Sequence, residues 1–222
     1  MPSFPKTERG LRSRITRYRA ALSYEKRIYG AINDGSGIRY VIFWLLFLLD
    51  DPKESNKYIG WYRKEFVGDI GEPIHKLCLA LIEHRMGNVS EASYALADLM
   101  LANRHLIPVL VGLPALTNVR ERSNYAAASY LEAIPTEITS AIAPAERDWI
   151  AERYASLAFR RLRKRYEEIE QELSKVIALE SRKPLVTELF GLLEKHRSEI
   201  TANKPLERTP PRWALRRRST AR

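Results

Sequence analysis

Residues 41–49 constrain the fold most, because they form an unbroken run of nine apolar residues. As a helix this run is about 14 Å long at ~1.5 Å per residue, less than half of the ~30 Å hydrocarbon core of a bilayer. A helix that is apolar on every side is normally the central one of a domain. We therefore predict a core helix over residues 38–49 that other helices surround. A buried strand is the alternative for a short apolar run, but the leucine content and the lack of a partner strand favour a helix.

A basic amphipathic helix is predicted before this core, over residues 7–28. Such a helix can lie on anionic lipid or on a phosphate backbone, and an arginine-rich, acid-poor start is also typical of a transit peptide. The simpler interpretation is a solvated arginine face on a helix that docks through its apolar side. That apolar stripe contains Leu11, Ile15, Tyr18, Leu22 and Tyr29.

An aromatic helix is predicted after the core, from Pro52 to about Phe66. Asp51 is placed to cap it, and Pro52 suits its first position. Its aromatic side chains recur at helical spacing, which favours packing on residues 41–49, although an aromatic peptide-binding surface is the alternative. They are Tyr58, Trp61, Tyr62 and Phe66.

Residues 73–103 are predicted to form a helical hairpin. Pro73 can start its first helix, and Gly87 can end it in the left-handed conformation. Asn88 followed by Glu91 has the spacing of a capping box for the second helix. Neither helix can bury its apolar stripe alone, so each must pack on the other and on its neighbours.

This hairpin resembles a tetratricopeptide repeat, a helix–turn–helix unit of 34 residues. One unit at residues 73–106 carries the resemblance through Leu79, Ala80, Gly87, Ala92 and Leu96. One period later, Ala126, Tyr130 and Ala133 are similar to half of a second unit, as the second helix of that copy. The resemblance implies a concave helical surface that binds a segment of another protein.

The C-terminal part is predicted to contain a long helix over residues 145–181 and a last helix over residues 184–200, separated at Pro184. Shorter helices are expected from Ser123 or Asn124 to Leu131 and over residues 138–142. The long helix has an apolar stripe with alternating steps of three and four, and we expect it to pack on the last helix rather than form a dimer. This stripe consists of Phe159, Leu162, Tyr166, Ile169, Leu173 and Val176.

A basic run at residues 160–165 of that helix can be interpreted in two ways. It looks like a nucleic-acid patch or a localisation signal. However, Glu167 and Glu168 lie four residues after Arg163 and Lys164, so ion pairs along the helix would neutralise the run.

The net charge of +10 belongs to the two ends of the chain. Residues 1–30 and residues 203–222 each have a net charge of +6, whereas the rest has −2. Residues 203–222 contain three prolines and little apolar surface, so we expect a basic tail that is disordered when free. Its arginines and tryptophan could bind phosphates and stack on a base, or only raise solubility. The candidate nucleic-acid-binding residues are Arg212, Trp213, Arg216, Arg217 and Arg218.

The sequence contains no recognisable catalytic or cofactor motif. A metal site is not expected either, because His84 points about 180° away from His75 on one helix and Cys78 cannot complete a set with both. The single cysteine, Cys78, excludes an internal disulfide and fits a reducing compartment. No catalytic residue, cofactor or metal is therefore assigned.

These observations predict an all-α protein, an irregular helical bundle or short α–α superhelix with TPR-like hairpins. Residues 1–202 would form one domain, with residues 203–222 as the tail. The leading functional hypothesis is a non-enzymatic, cytoplasmic scaffold for protein–protein interaction, with a protein partner. A nucleic-acid-binding accessory protein that uses the basic N-terminal helix and the tail is the alternative, and an enzyme is the third.

Overall fold

The computed structural model of the chain describes residues 4–114, 116–117 and 120–202. These residues are folded into α-helices and one 3-10 helix, and they contain no strand, which confirms the predicted all-α class. The helices in chain order are α1 (Glu8–Tyr29), α2 (Ile38–Leu49), α3 (Pro52–Glu65), α4 (Pro73–Arg85), α5 (Val89–Ala102), α6 (Leu106–Leu110), the 3-10 helix (Ala128–Ala133), α7 (Thr136–Ala141), α8 (Pro144–Ala155), α9 (Leu157–Lys175), α10 (Leu179–Lys195) and α11 (Arg197–Thr201).

Helix α2 is the central helix of the N-terminal part, as its apolar sequence predicts. It packs against α1, α3, α4 and α7. Asp34 starts it by accepting hydrogen bonds from the backbone N–H groups of Ile38 and Arg39, at 2.8 and 2.9 Å. Five of its side chains are completely or almost completely buried, namely Ile42, Phe43, Leu45, Leu46 and Phe47.

The aromatic face of α3 packs in the core, which confirms that interpretation over a peptide-binding surface. The ring of Phe43 contacts the rings of Tyr58 and Tyr62 edge-on, with centroid distances of 5.1 and 5.0 Å. Helix α1 packs on α2 through Leu11, Ile15 and Leu22. These contacts fix the positions of the connections that precede α2 and α4.

The hairpin is formed by α4 and α5, with Gly87 in the left-handed conformation at φ 79°. The predicted capping box is absent, since the side chain of Asn88 makes no capping hydrogen bond and donates instead to Glu83. Glu91 pairs with Arg63 of α3. Helix α3 thus competes for the carboxylate that local sequence reasoning assigned to the cap.

The predicted helix from residue 123 or 124 to 131 is wrong, because this stretch forms turns and then the 3-10 helix Ala128–Ala133. Asn103 holds the turns from outside the segment by donating to the backbone carbonyls of Tyr125 and Ala127 at 2.7 and 3.2 Å. The carbonyl of Ala127 also accepts from the N–H of Tyr130, three residues later, which is the hydrogen-bond pattern of a 3-10 helix. The second helix of the half-unit that resembles a repeat is therefore not an α-helix.

The predicted long helix over residues 145–181 is also wrong, since it is divided at Ser156. This residue has an extended backbone, and its hydroxyl group accepts from the N–H of Phe159, so it caps α9 and ends α8. Helix α9 then ends at Lys175, where Arg182 donates to the free carbonyls of Leu173 and Val176.

The predicted last helix over residues 184–200 is two helices, α10 and α11, and Pro184 lies inside α10 rather than before it. The chain turns at residues 176–178, upstream of the proline. The expected packing of the α9 stripe within the chain is confirmed. Helix α9 packs on α5, α8, α10 and α11, with Phe159, Leu162, Ile169 and Leu173 buried.

Across the described parts of the chain, no helix is both long enough and apolar enough to cross a bilayer.

Candidate functional site

The nucleic-acid-binding residues predicted from the sequence, Arg212, Trp213, Arg216, Arg217 and Arg218, lie outside the described residues. The site of interest within the described residues is a different one. It lies where the connection before α2 meets the connection between α3 and α4.

Three basic side chains of α1 are engaged in ion pairs within the protein. Arg12, Arg19 and Lys26 are spaced seven residues apart and therefore lie along one side of the helix. Each pairs with an acidic residue at or near α3, so this side of α1 faces α3. The pairs are Arg12 with Asp51 at 2.8 Å, Arg19 with Glu54 at 3.1 Å, and Lys26 with Glu65.

The basic run on α9 is neutralised only in part as predicted. Lys164 contacts Glu168 at 3.9 Å. Arg163 does not pair with Glu167; its guanidinium stacks on the ring of Tyr154 and donates to the Tyr154 carbonyl at 2.8 Å. Glu167 forms an ion pair with Arg104 instead, which follows the end of α5.

A carboxylate network centred on Asp69 fixes the connection between α3 and α4. Burial would raise the pKa of Asp69, but hydrogen bonds from Arg39, Tyr40 and Tyr62 outweigh it and lower the pKa to about 2. The carboxylate is thus ionised and bound from several elements at once. The donors are Nε of Arg39 at 2.8 Å, the hydroxyl of Tyr40 at 2.7 Å, the hydroxyl of Tyr62 at 2.9 Å and the backbone N–H of Gly71 at 3.3 Å.

The same connection, residues 66–72, places a charged side chain inside the protein and two apolar side chains in solvent. Asp69 points into the protein, whereas Val67 and Ile70 are 85% and 77% exposed. A connector normally places apolar side chains inward and charged ones outward. We name the surface formed by Ile32, Val67 and Ile70 the connector face.

An open groove of about 300 Å³ runs beside the connector face. Ile32 and Asn33 from the connection before α2 line one part of it, and residues 65–69 line the other. The groove has the size of a small ligand pocket, but it opens widely to solvent and lies next to exposed aliphatic side chains. This arrangement suits a side chain presented by another macromolecule.

His75 lies behind the connector, almost completely buried, and neither ring nitrogen has a hydrogen-bond partner in the described residues. Burial lowers the pKa of His75 to about 3, so the ring is neutral. A Cβ atom at Gly71 would lie 2.7 Å from Nδ1, so this position requires glycine. The aromatic rings around the imidazole are those of Tyr40, Phe43 and Tyr62, at centroid distances of 5.1, 4.4 and 5.1 Å.

The described residues contain no group of three histidine, cysteine or acidic side chains that could hold a metal ion. His84 instead lies against the ring of Trp149, with a centroid distance of 4.3 Å. Cys78 is a buried free thiol in the core.

The sequence alone predicts no role for residues 68–71 and misses that of Asp69. The signal that could have shown it is the order of residue types, in which one acid stands between two aliphatic residues and two glycines. The partners of Asp69 are 29, 30 and 7 residues away along the chain, so local spacing could not identify them.

Comparisons of the chain with protein-family models, with curated proteins and with solved structures found no match.

Proposed function

We propose that this protein is a non-enzymatic helical scaffold that binds a segment of another protein at the connector face. The observation that carries the proposal is the inverted connector, with Asp69 bound inside and Val67 and Ile70 exposed outside. Fully burying a Val or Ile side chain is worth about 1.5–3 kcal/mol, so a partner that covers both gains substantially.

The Asp69 network lowers the cost of such binding. A mobile loop would lose conformational freedom when a partner orders it, whereas this connector is already held from α2 and α3. The exposed aliphatic side chains are thus presented on a fixed backbone.

The charges around the connector face indicate the chemistry of the partner. Lys26 and Glu65 neutralise each other, and Arg39 is taken by Asp34 and Asp69. Lys64 and Arg27 have no acidic partner among the described residues, and Glu25, which accepts from the backbone N–H of Asp34, has no basic one there. Since these charges balance, the exposed aliphatic side chains determine the occupant, which is a peptide segment with an apolar anchor side chain.

The resemblance of residues 73–106 to a tetratricopeptide repeat implies a protein-binding role in general, since that family binds segments of other proteins, but the connector face lies outside this unit. A cytoplasmic location belongs to the same proposal and is supported by the single, unpaired cysteine.

Selection from a random peptide library against the full chain tests this proposal. We expect enriched peptides to carry an aliphatic or aromatic anchor side chain. The variant V67S/I70S should lose their binding at least tenfold. The matched control is I177S/L179S, which removes two equally exposed aliphatic residues next to another helix connection and should bind normally. Absence of enrichment, or equal binding by both double variants, contradicts the proposal.

Nucleic-acid binding by the ends of the chain is the alternative. Since Arg12, Arg19 and Lys26 of α1 are engaged with acids, this function would depend mainly on residues 203–222. Binding of an oligonucleotide should then fall with added salt and be lost when residues 203–222 are deleted. Salt-insensitive binding, or binding that survives the deletion, rejects it.

An enzymatic function is the third hypothesis, and no arrangement of catalytic side chains in the described residues supports it.

A further inference from the structure

A second surface, remote in sequence from the connector face, concentrates arginine side chains. A small cleft of about 20 Å³ lies between the end of α5, residues 120–126 and α9. We name it the arginine cleft. Its polar lining consists of Arg104, Arg120, Arg122, Tyr166 and Glu170.

One buried carboxylate organises this cleft. Glu170 is 5% exposed and accepts from Nε of Arg122 at 2.9 Å and from Nη1 of Arg104 at 3.4 Å. Arg104 also pairs with Glu167. Two guanidinium groups from different elements are therefore held in fixed orientations beside each other.

The cleft has more donors than these contacts use. A guanidinium group has five N–H donors. The acidic contacts above occupy two nitrogens of Arg104 and one of Arg122, and Arg120 pairs with no acidic group among the described residues. The nearby acid Glu121 does not compensate, because it turns to the backbone N–H of Ala128 at 2.8 Å and to Nε2 of His105 at 3.6 Å.

Neighbouring residues of α9 add to the positive charge. Burial lowers the pKa of Arg163, Tyr154 and Glu167 oppose this shift, and the positive charges of Arg160 and Arg104 add to it. Arg163 contacts the Tyr154 carbonyl and no carboxylate within the described chain. The lining of the cleft itself thus has three guanidinium groups and one carboxylate, that of Glu170.

Such an excess of positive charge is unfavourable without a counter-ion. Two guanidinium groups held in fixed orientations also match the oxygens of a phosphate group. The enclosed volume is about that of one water molecule, so one phosphate oxygen can enter while the rest of the ligand lies at the mouth. We propose that the arginine cleft binds a phosphate group, carried either by a small molecule or by a nucleic-acid backbone. This activity is additional to peptide docking at the connector face and uses none of its residues.

The test uses the full chain and two probes, pyrophosphate in calorimetry and a single-stranded oligouridine in fluorescence anisotropy. We expect at least one probe to bind and R120Q/R122Q to weaken that binding at least tenfold. The control R9Q/R17Q removes the same charge from α1 and should change affinity by less than twofold. Pyrophosphate binding identifies a small phosphorylated ligand, whereas binding of oligouridine alone identifies a nucleic-acid backbone.

Loss of Arg122 leaves the buried Glu170 with only the longer contact to Arg104 and can disturb folding, so the single variant R120Q provides a second measurement. Arg120 has no acidic partner to release, and R120Q should still weaken binding about threefold or more while the circular dichroism melting curve stays unchanged. Absence of binding of both probes to the unmodified chain overturns the proposal. Equal weakening by R120Q/R122Q and R9Q/R17Q overturns it too, because the effect would then be net charge alone.

Discussion

The N-terminal helices α1–α5 and the C-terminal helices α8–α11 bury their apolar residues to very different extents. Helix α2 is enclosed by four helices, and aromatic rings of α3 pack around its Phe43. In contrast, α10 has Leu192 as its one completely buried residue and leaves Phe190 78% exposed. Stability should therefore be concentrated in the N-terminal part, which also holds the connector face rigid.

The largest expected effect is a contrast between two phenylalanines. Phe43→Ala removes a fully buried ring from the centre of the N-terminal core and should cost about 3–5 kcal/mol. Phe190→Ala changes an exposed ring of α10 and should stay within about 0.5 kcal/mol of the unmodified protein. Urea denaturation measures both. A comparable loss for Phe190→Ala would show that α10 is covered in solution.

Acid should weaken the N-terminal part through His75. Its folded pKa of about 3 lies below the ordinary value of 6.5, so between these values the unfolded chain binds a proton that the folded protein does not. Stability should fall as the pH drops from 6.5 towards 3, by at most about 1.4 kcal/mol per pH unit from this group. His75→Phe should flatten this dependence in denaturation series measured at several pH values.

Glu72 provides a control, because its contribution to stability changes with pH in the opposite direction to that of His75. Burial raises the pKa of Glu72 to about 7, so above 4.5 the unfolded chain releases a proton that the folded protein keeps. Its contribution to stability is present at acid pH and is lost as the pH rises from 4.5 through 7. Glu72→Gln should flatten the neutral side of the profile and leave the acid side unchanged; identical profiles for both variants would contradict these assignments.

Removing ion pairs should show the same contrast between the N-terminal and C-terminal helices, with smaller losses of unfolding free energy. Asp69→Asn removes a charge that three side chains bind and should cost about 1.5–3 kcal/mol. Glu188→Gln breaks the pair between α10 and Arg165, which solvent reaches, and should cost at most about 1 kcal/mol. Thermal unfolding at matched pH distinguishes them. Asp69→Asn should also weaken peptide binding at the connector face, whereas an unchanged affinity would remove the network from that role.

The smallest expected effects come from two exposed helical glycines with free space at Cβ, Gly60 in α3 and Gly191 in α10. Replacement by alanine should stabilise each helix by about 0.5–1 kcal/mol. If both parts unfold together, G60A and G191A should shift one transition equally. If α9–α11 open first, G191A should raise protection from hydrogen exchange in those helices alone.

Helices were predictable from the sequence where local patterns are strong. The apolar run of α2, the Asp51–Pro52 start of α3 and the Gly87 turn each place an element within one or two residues. Prediction failed at the local cap Ser156, which divides the expected long helix, and where a side chain outside a segment decides its backbone. Asn103 holds the turns near residue 126, and Arg182 ends α9 before the expected position.

The sequence by itself determined the all-α class, the central place of α2 and the charge of the two ends, because periodicity and composition act through neighbouring residues. The tertiary structure alone decided where the ionised groups meet. Asp69 reaches Arg39 and Tyr40, and Glu170 reaches Arg104 and Arg122, across 29 to 66 residues of chain. Such contacts have no local pattern, since their geometry exists only after the apolar stripes have packed and brought the helix ends together.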